Sequence, residues 1–418
     1  MAQLTNDCCS SNDKMQTLDE AHDFFKATLH PIAKTKVVSI YDAVGYILAK
    51  DIVALVNVPA YNNSAVDGYV INADSLSNSE NTTYTMIGRV AAGDDKATYC
   101  VDSVVRIFTG APVPVGFDTV YMQEDVAVDG TSVTVPNGIK RGDNIRALGE
   151  DVKKGELVLE KGTKLRSSEI AIIASQGMAE VAVYEKLKVG FFSSGDELLE
   201  VGSDASQLEK GRLFDSNRPM TLSLLKEVGV EAIDLGRTDD TIESVRAMLK
   251  NGSETCDFMM SSGGMSVGEE DHIQVALQEH EMNFWKLAIK PGKPVGFGLV
   301  HGTPFLGFPG NPVSVYVVFG LIGVLILKLL GGQSDYKLPR VPVKLGFDVK
   351  TKIGRREFMR AQLIEQDGEI VAVKSGAQGS GVMRSVINAT GLVEIDEDAS
   401  TLGKGDLVSY IPFEGLYK

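Results

Sequence analysis

The chain has 418 residues, too many for one ordinary hydrophobic core, which predicts roughly two to four domains. With 44% hydrophobic and 23% charged residues it is globular in make-up, which excludes chain-wide disorder and collagen-like low complexity. A net charge of -15, from 41 Lys+Arg against 56 Asp+Glu, argues against a general nucleic-acid binder and makes any local group of cations worth explaining.

Residues 1–14 are polar and lack the apolar stretch of a secretory signal, so a disordered tail on a cytoplasmic protein is expected. Cys8, Cys9, Cys100 and Cys256 form no CxxC pair, which fits a reducing compartment. Metal binding or acylation at Cys8–Cys9 lacks a nearby His or a Gly at position 2. MQTLDEAHDFFKATL puts Leu18, Ala21, Phe24, Phe25 and Leu29 on one helical face. YDAVGYILAKDIVA follows, then a loop rich in Pro, Asn and Ser. Between about 66 and 139, short alternating runs separated by Gly, Pro and Asp predict a small all-β insert. Residues 140–185 return to the mixed texture of the start and include a helical stretch, SSEIAIIASQGM. The expected division is therefore a discontinuous dimerisation domain, 15–55 plus 140–185, around an insert at 56–139.

From 186 to 330 strands and helices alternate: KLKVGFFS, then a helix over DSNRPMTLSLLKEVG capped by Asp215 or Ser216, then VEAIDLGR, TIESVRAMLKN, CDFMMSS and GEEDHIQVALQEH. PVGFGLV and PFLGFP read as strands before a closing helix. This order implies a mainly parallel sheet whose crevice lies at the strands' carboxyl ends. The apolar run Val313–Leu327 is shorter than the roughly 20 residues that span a bilayer, and it reads as a buried helix, so no membrane span is expected. Residues 337–418 turn β again and predict a small barrel or sandwich. The fold class is multidomain α/β plus all-β.

Three loops follow predicted strands: Ser193-Ser194-Gly195-Asp196-Glu197, Ser261-Ser262-Gly263-Gly264-Met265-Ser266, and Pro309-Gly310-Asn311-Pro312. Each alone is as readily a tight turn. Their shared place on one sheet edge suggests a phosphate-bearing ligand held by backbone N–H groups and a helix N-terminus. Glu197, Asp257 and Asp271 sit beside them, and acids near a phosphate make sense with Mg²⁺ between, although each is also an ordinary cap or surface acid. Lys290 and Lys293 flank a Pro-Gly turn and are placed to converge on one anion, or else form a solvated face. A second basic cluster, Arg355-Arg356-Glu357-Phe358-Met359-Arg360, lies in the last domain. No HExxH, Walker A, GxSxG or Rossmann fingerprint is present, and His is scarce.

Eight segments, in order, resemble the MoeA family of molybdopterin molybdenumtransferases, relatives of the gephyrin E domain: SAVDGYVI (64–71), TGAPVPVGFDTVYMQED (109–125), RALGEDVKKGELVLEKG (146–162), FFSSGDELLEVG (191–202), GRLFDSNRPM (211–220), DFMMSSGGMSVGEEDH (257–272), KPGKPVGFG (290–298) and GFPGNPVS (307–314). The resemblance implies a homodimer of four-domain subunits, with a MogA-like α/β domain at 186–330 and a β-barrel at 337–418. It implies that adenylylated molybdopterin and molybdate react with Mg²⁺ to give molybdenum cofactor and AMP. Ser194, Gly195, Ser262, Gly263, Gly264, Pro309, Gly310, Asn311 and Pro312 would hold the pterin and its pyrophosphate. Ser266, Lys290 and Lys293 match positions near molybdate, with Arg356, Arg360 and Ser380 as further oxyanion contacts. Glu197, Asp257 and Asp271 would hold Mg²⁺. Glu197 and Asp257 would also act in catalysis, as would Asp67 and Thr109, approaching across the dimer, and Asp151, which matches the acid of the family's RxxGxD motif. His272 stands where the family often has an aromatic residue. A MogA-like adenylyltransferase and molybdoenzyme apoproteins are the implied partners. The alternatives are an adenylyltransferase, which would be a single domain, and a gephyrin-like scaffold, which would not need the acids and lysines.

Overall fold

The computed structural model describes residues 15–95, 98–265, 272–334 and 336–417. The expected tail, with Cys8 and Cys9, lies outside them, as do Ser266 and Asp271.

Helix Leu18–Thr28 opens on a capping box, in which Thr17 Oγ1 accepts the Glu20 N–H and the Glu20 carboxylate accepts the Thr17 N–H. Its buried face, Leu18, Ala21 and Phe25, packs on the α/β domain, with Phe25 edge-on to Phe297 and beside Trp285. The packing thus separates this helix from the segment it was grouped with in sequence. From Thr35 the chain packs with residues 157–183 instead. Strand Thr35–Ser39 pairs antiparallel with Glu180–Tyr184, and Ile52–Val53 with Leu157–Leu159. Ile40, Leu48, Leu165, Ile173 and Val183 form the core between them.

The chain between these halves makes a six-stranded sheet in the order Thr119–Met122, Gly68–Ile71, Val104–Ile107, Asn81–Val90, Ser132–Pro136, Ala127–Asp129. Successive residues point to opposite faces. Val70, Val105 and Val120 therefore fill one cluster while Tyr69, Ile71, Val104 and Tyr121 fill the other.

In the α/β region the strand order is Glu231–Thr238, Lys188–Ser194, Phe258–Ser262, Thr303–Phe308, Pro294–Val300, Glu281–Lys286. The first four and Glu281–Lys286 run one way, and only Pro294–Val300, between Thr303–Phe308 and Glu281–Lys286, runs against them. Buried on both faces, the central strands read as unbroken apolar runs. Pro294–Val300 turns into Thr303–Phe308 at His301 and Gly302, whose φ angles of 49° and 83° suit a tight hairpin. Ser216 is the N-cap position of helix Asn217–Glu227, but it is Asp215 that accepts the Arg218 N–H, at 3.1 Å.

Helix Pro312–Leu330 is long and apolar enough to cross a bilayer, yet it is 83% buried at the centre of this domain. Its middle, Phe319–Gly323, is a π turn, which takes carbonyls out of the regular ladder. Leu321 O receives His22 Nε2 at 2.7 Å. Burial lowers the His22 pKa, so the neutral ring donates here. A Cβ on Gly320 would lie 2.7 Å from Leu416 Cδ2, so the glycine admits the C-terminal turn.

The last region closes into a five-stranded barrel. Arg356–Gln366 pairs with both Glu369–Lys374 and Gly391–Ile395, and the ring continues through Leu407–Pro412 and Val341–Leu345. A two-residue parallel pairing, Ile289 with Arg356 and Lys290 with Glu357, ties the α/β region to the barrel.

Candidate active site

The parallel strands deliver their loops to one edge of the sheet, as the chain order requires. Ser194–Glu197 follows one strand, Asp239–Asp240 the next, Gly263–Met265 the third and Pro309–Asn311 the fourth. The antiparallel strand Pro294–Val300 starts at this edge, so the turn Lys290–Lys293 arrives there too. The barrel covers the opening with Arg355 and the loop Gln378–Ser380. Together these residues enclose a cleft of about 710 Å³, a size suited to a small-molecule substrate.

Close approach dictates the glycines. Gly263 has φ 91°, and a Cβ there would sit 2.5 Å from the Ser194 carbonyl oxygen. Gly195 has φ 145°, and a Cβ would strike the Glu197 carboxylate at 2.4 Å. The rim is braced from behind. Arg237 donates to Leu198 O at 3.0 Å, and Asn217 Nδ2 to Gly310 O at 2.7 Å. The barrel loop is pinned to the rim where the Val313 N–H donates to Ser380 O at 3.0 Å.

Charge is divided along the cleft by strand order. Glu197 and Asp240 follow neighbouring strands at one side of the sheet. Lys290, Lys293 and Arg355 come from the other side and from the barrel. In a chain of net charge -15, the cationic half is a local exception that suits an anion. Ser380, Ser314 and Asn311 add neutral polar groups to the wall.

Ser194, Gly195, Glu197, Gly263, Gly264, Lys290, Lys293, Pro309, Gly310, Asn311 and Ser380 all line this cleft. Ser262 is buried just beneath the rim and Pro312 opens the helix behind it. Three expected residues are placed elsewhere. Asp257 stands at the start of strand Phe258–Ser262, so about 20 Å of extended chain separates it from Gly263. Its carboxylate accepts the Lys188 N–H at 2.8 Å, at the foot of the sheet. Arg356 is drawn away by acids, bonding Asp19 at 2.9 Å and Glu397 at 2.8 Å. Arg360 is fully buried and donates to Ser385 Oγ at 3.1 Å and to Gly379 O at 3.1 Å. Burial pushes the pKa of its guanidinium down to about 10. Arg360 thus shapes the loop that carries Ser380 rather than lining the cleft.

Asp67 and Thr109 bond each other, with Asp67 Oδ1 receiving the Thr109 N–H at 2.8 Å and its hydroxyl at 2.9 Å. The Thr109 N–H, then its hydroxyl, holds the Asp67 carboxyl below the usual range. The Asp151 N–H donates to Val58 O at 3.0 Å. None of the three lines the cleft of its own chain.

Among the lining residues that the motifs do not point to, two are charged. Asp240 follows a strand just as Glu197 does, and the Asp239-Asp240-Thr241 break before a helix was the available signal. Arg355 was visible as part of a basic cluster, but which of its arginines faces the cleft depends on strand alternation from Arg356 onward.

A molybdopterin molybdenumtransferase of Haemophilus influenzae is 37% identical over 96% of this chain and 100% of its own length. The chain belongs to the MoeA family. Three family models match along it: the MoeA N-terminal region (domain I and II) at 16–177, a probable molybdopterin binding domain at 190–328, and the MoeA C-terminal region (domain IV) at 342–413. A molybdopterin molybdenumtransferase 2 of Mycobacterium tuberculosis is 31% identical over 88% of this chain and 92% of its own. A crystal structure of a molybdopterin biosynthesis MoeA protein from Pyrococcus horikoshii superposes with a TM-score of 0.82 at 29% identity, covering 96% of this chain and 100% of that one. In this MoeA chain, every strand-end loop of the cleft lies in the segment matched as molybdopterin-binding. Arg355 and Ser380 come from the C-terminal match.

Proposed function

We propose that this cleft binds adenylylated molybdopterin and molybdate, that molybdenum enters the dithiolene, and that the adenylyl link is hydrolysed to release molybdenum cofactor and AMP. The observation that carries the reading is the divided cleft, with two acids at one side and three cations at the other. Lys290, Lys293 and Arg355 supply charge-assisted hydrogen bonds to a tetrahedral dianion, and the Ser380 hydroxyl adds another donor. Ser266 is proposed to join them. Backbone N–H groups of Gly263, Gly264, Gly310 and Asn311, close to the N-terminus of helix Pro312–Leu330, hold the pyrophosphate. Glu197 takes the proton of the water that attacks it.

Glu197 and Asp240 fit Mg²⁺, which is commonly held through one or two carboxylates plus substrate phosphates. Asp271 is proposed as a further ligand, and Asp257, at the far end of the sheet, is not. When bound, such an ion offsets phosphate charge and makes a bound water more acidic.

The working unit is proposed to be a homodimer, in which Asp67, Thr109 and Asp151 of one subunit serve the cleft of the other. Its domains are taken as 15–55 plus 140–185, 56–139, 186–330 and 337–418, with helix Leu18–Thr28 riding on the third. The protein would work in the cytoplasm, between a MogA-like adenylyltransferase and molybdoenzyme apoproteins. The test is reconstitution with Mg²⁺, molybdate and adenylylated molybdopterin. AMP release that depends on molybdate, together with activation of an apo-molybdoenzyme, is expected. AMP release indifferent to molybdate contradicts the reading.

A further inference from the structure

Among the three cations of the cleft, Lys290 already has an anion. Its Nζ lies 3.0 Å from Glu357 Oε1. The two residues are register partners in the short parallel pairing that joins the α/β region to the barrel, so the backbone itself sets them side by side. The lysine side chain is 56% exposed and faces the cleft, whereas the Glu357 side chain is only 10% exposed. A carboxylate fixed beside an oxyanion pocket opposes the ligand twice. It occupies one of the donors, and its charge repels the incoming anion.

We infer that Glu357 is the resident counter-ion of Lys290, displaced when a tetrahedral oxyanion binds and restored when the oxyanion leaves. The inference rests on the proposed function and deepens it: Glu357 sets how tightly the site holds its oxyanion. Three converging cations alone would hold a dianion strongly, and an oxyanion must be given up to the pterin. A resident negative charge weakens that grip by competing for one donor and repelling the anion, and it leaves that donor to the oxyanion once displaced. Because the opposing charge is part of the joint between α/β region and barrel, filling the site also loosens one tie between them.

Charge dependence separates this role from a merely structural one. Perrhenate matches molybdate in shape but carries one negative charge instead of two. Removing the Glu357 charge should therefore help molybdate more than perrhenate, by about twice on a logarithmic scale. The experiment is calorimetric binding of molybdate and of perrhenate to the full chain without pterin. Glu357→Gln is expected to tighten molybdate binding on the order of tenfold and perrhenate about threefold. Glu357→Met, also neutral and similar in length, should do the same, and Glu357→Asp should stay within about twofold of the parent chain. Melting curves confirm folding of each variant. Unchanged or weaker molybdate binding in the neutral variants overturns the inference, as does an equal gain for both anions. A parent chain that binds neither anion sinks the oxyanion site itself and so the proposed function, an outcome distinct from the other two.

Discussion

The two ends of the α/β sheet use the same kinds of residue for opposite purposes. At the carboxyl edge, Glu197 and Asp240 line a cleft, with glycines letting the backbones close in. At the other edge, Asp257 spends its carboxylate on the Lys188 N–H and so staples two neighbouring strands. An acid next to a glycine-rich motif is therefore not enough to define a site; the direction of the strand between them decides. The barrel repeats the lesson, because Arg355 lines the cleft while Arg356, one position on, is held by Asp19, Glu394 and Glu397.

The largest expected contrast comes from the sheet's two acids. Glu197→Ala should lower kcat by at least about a hundredfold with the melting temperature unchanged, as befits loss of a proton acceptor. Asp257→Ala should keep kcat within about twofold and lower the melting temperature by a few degrees. Comparable losses of kcat in both would erase the distinction between the edges.

The barrel arginines give a second, smaller contrast. Arg355→Ala should raise KM for molybdate by about tenfold or more, since a charge-assisted bond is lost. Arg356→Ala should leave KM alone but destabilise the fold by about 1–3 kcal/mol, because Glu394, 3% exposed, loses one of its two arginines. Titration of unfolding and of KM in parallel checks both.

Acid stability sharpens the structural side. The Arg356 hydrogen bond lowers Glu397; for Asp19 burial pushes the other way, and Arg356, with Arg340 and His22, together outweigh it. Their folded values lie below the unfolded range near about 4, so the stability they add is present above that pH and is lost as pH falls through the folded values. His22 acts earlier. Burial, outweighing the Leu321 bond, sets its folded pKa below the unfolded value of about 6.5, so stability declines as pH falls below that point. Melting temperature against pH should therefore show two steps. Arg356→Gln should shrink the more acidic one and His22→Gln the other.

Much of this was legible in the chain itself. Period-2 runs marked the insert and barrel, and strand–helix alternation placed three loops on one edge. Motif resemblance then supplied roles that spacing alone could not. Asp257 stands apart because of strand length: a residue before Phe258 cannot share an edge with one after Ser262. The Asp240 loop carries no glycine to mark it in the sequence, and which arginine of the run 355–356 faces the cleft is set by where strand Arg356–Gln366 begins. Helix Leu18–Thr28 lies beside its sequence neighbours in the chain, but its docking partners, Trp285, Phe297 and the Leu321 carbonyl, are far along it, and no local pattern reports that.

The oxyanion is proposed to sit in one cleft between Lys290, Lys293, Arg355 and Ser380. Anomalous diffraction from a crystal soaked in tungstate tests it most directly. A single strong peak is expected within hydrogen-bond reach of Lys290, Lys293, Arg355 and Ser380. A peak at Arg356 or beside Asp257, with none in the cleft, would contradict it.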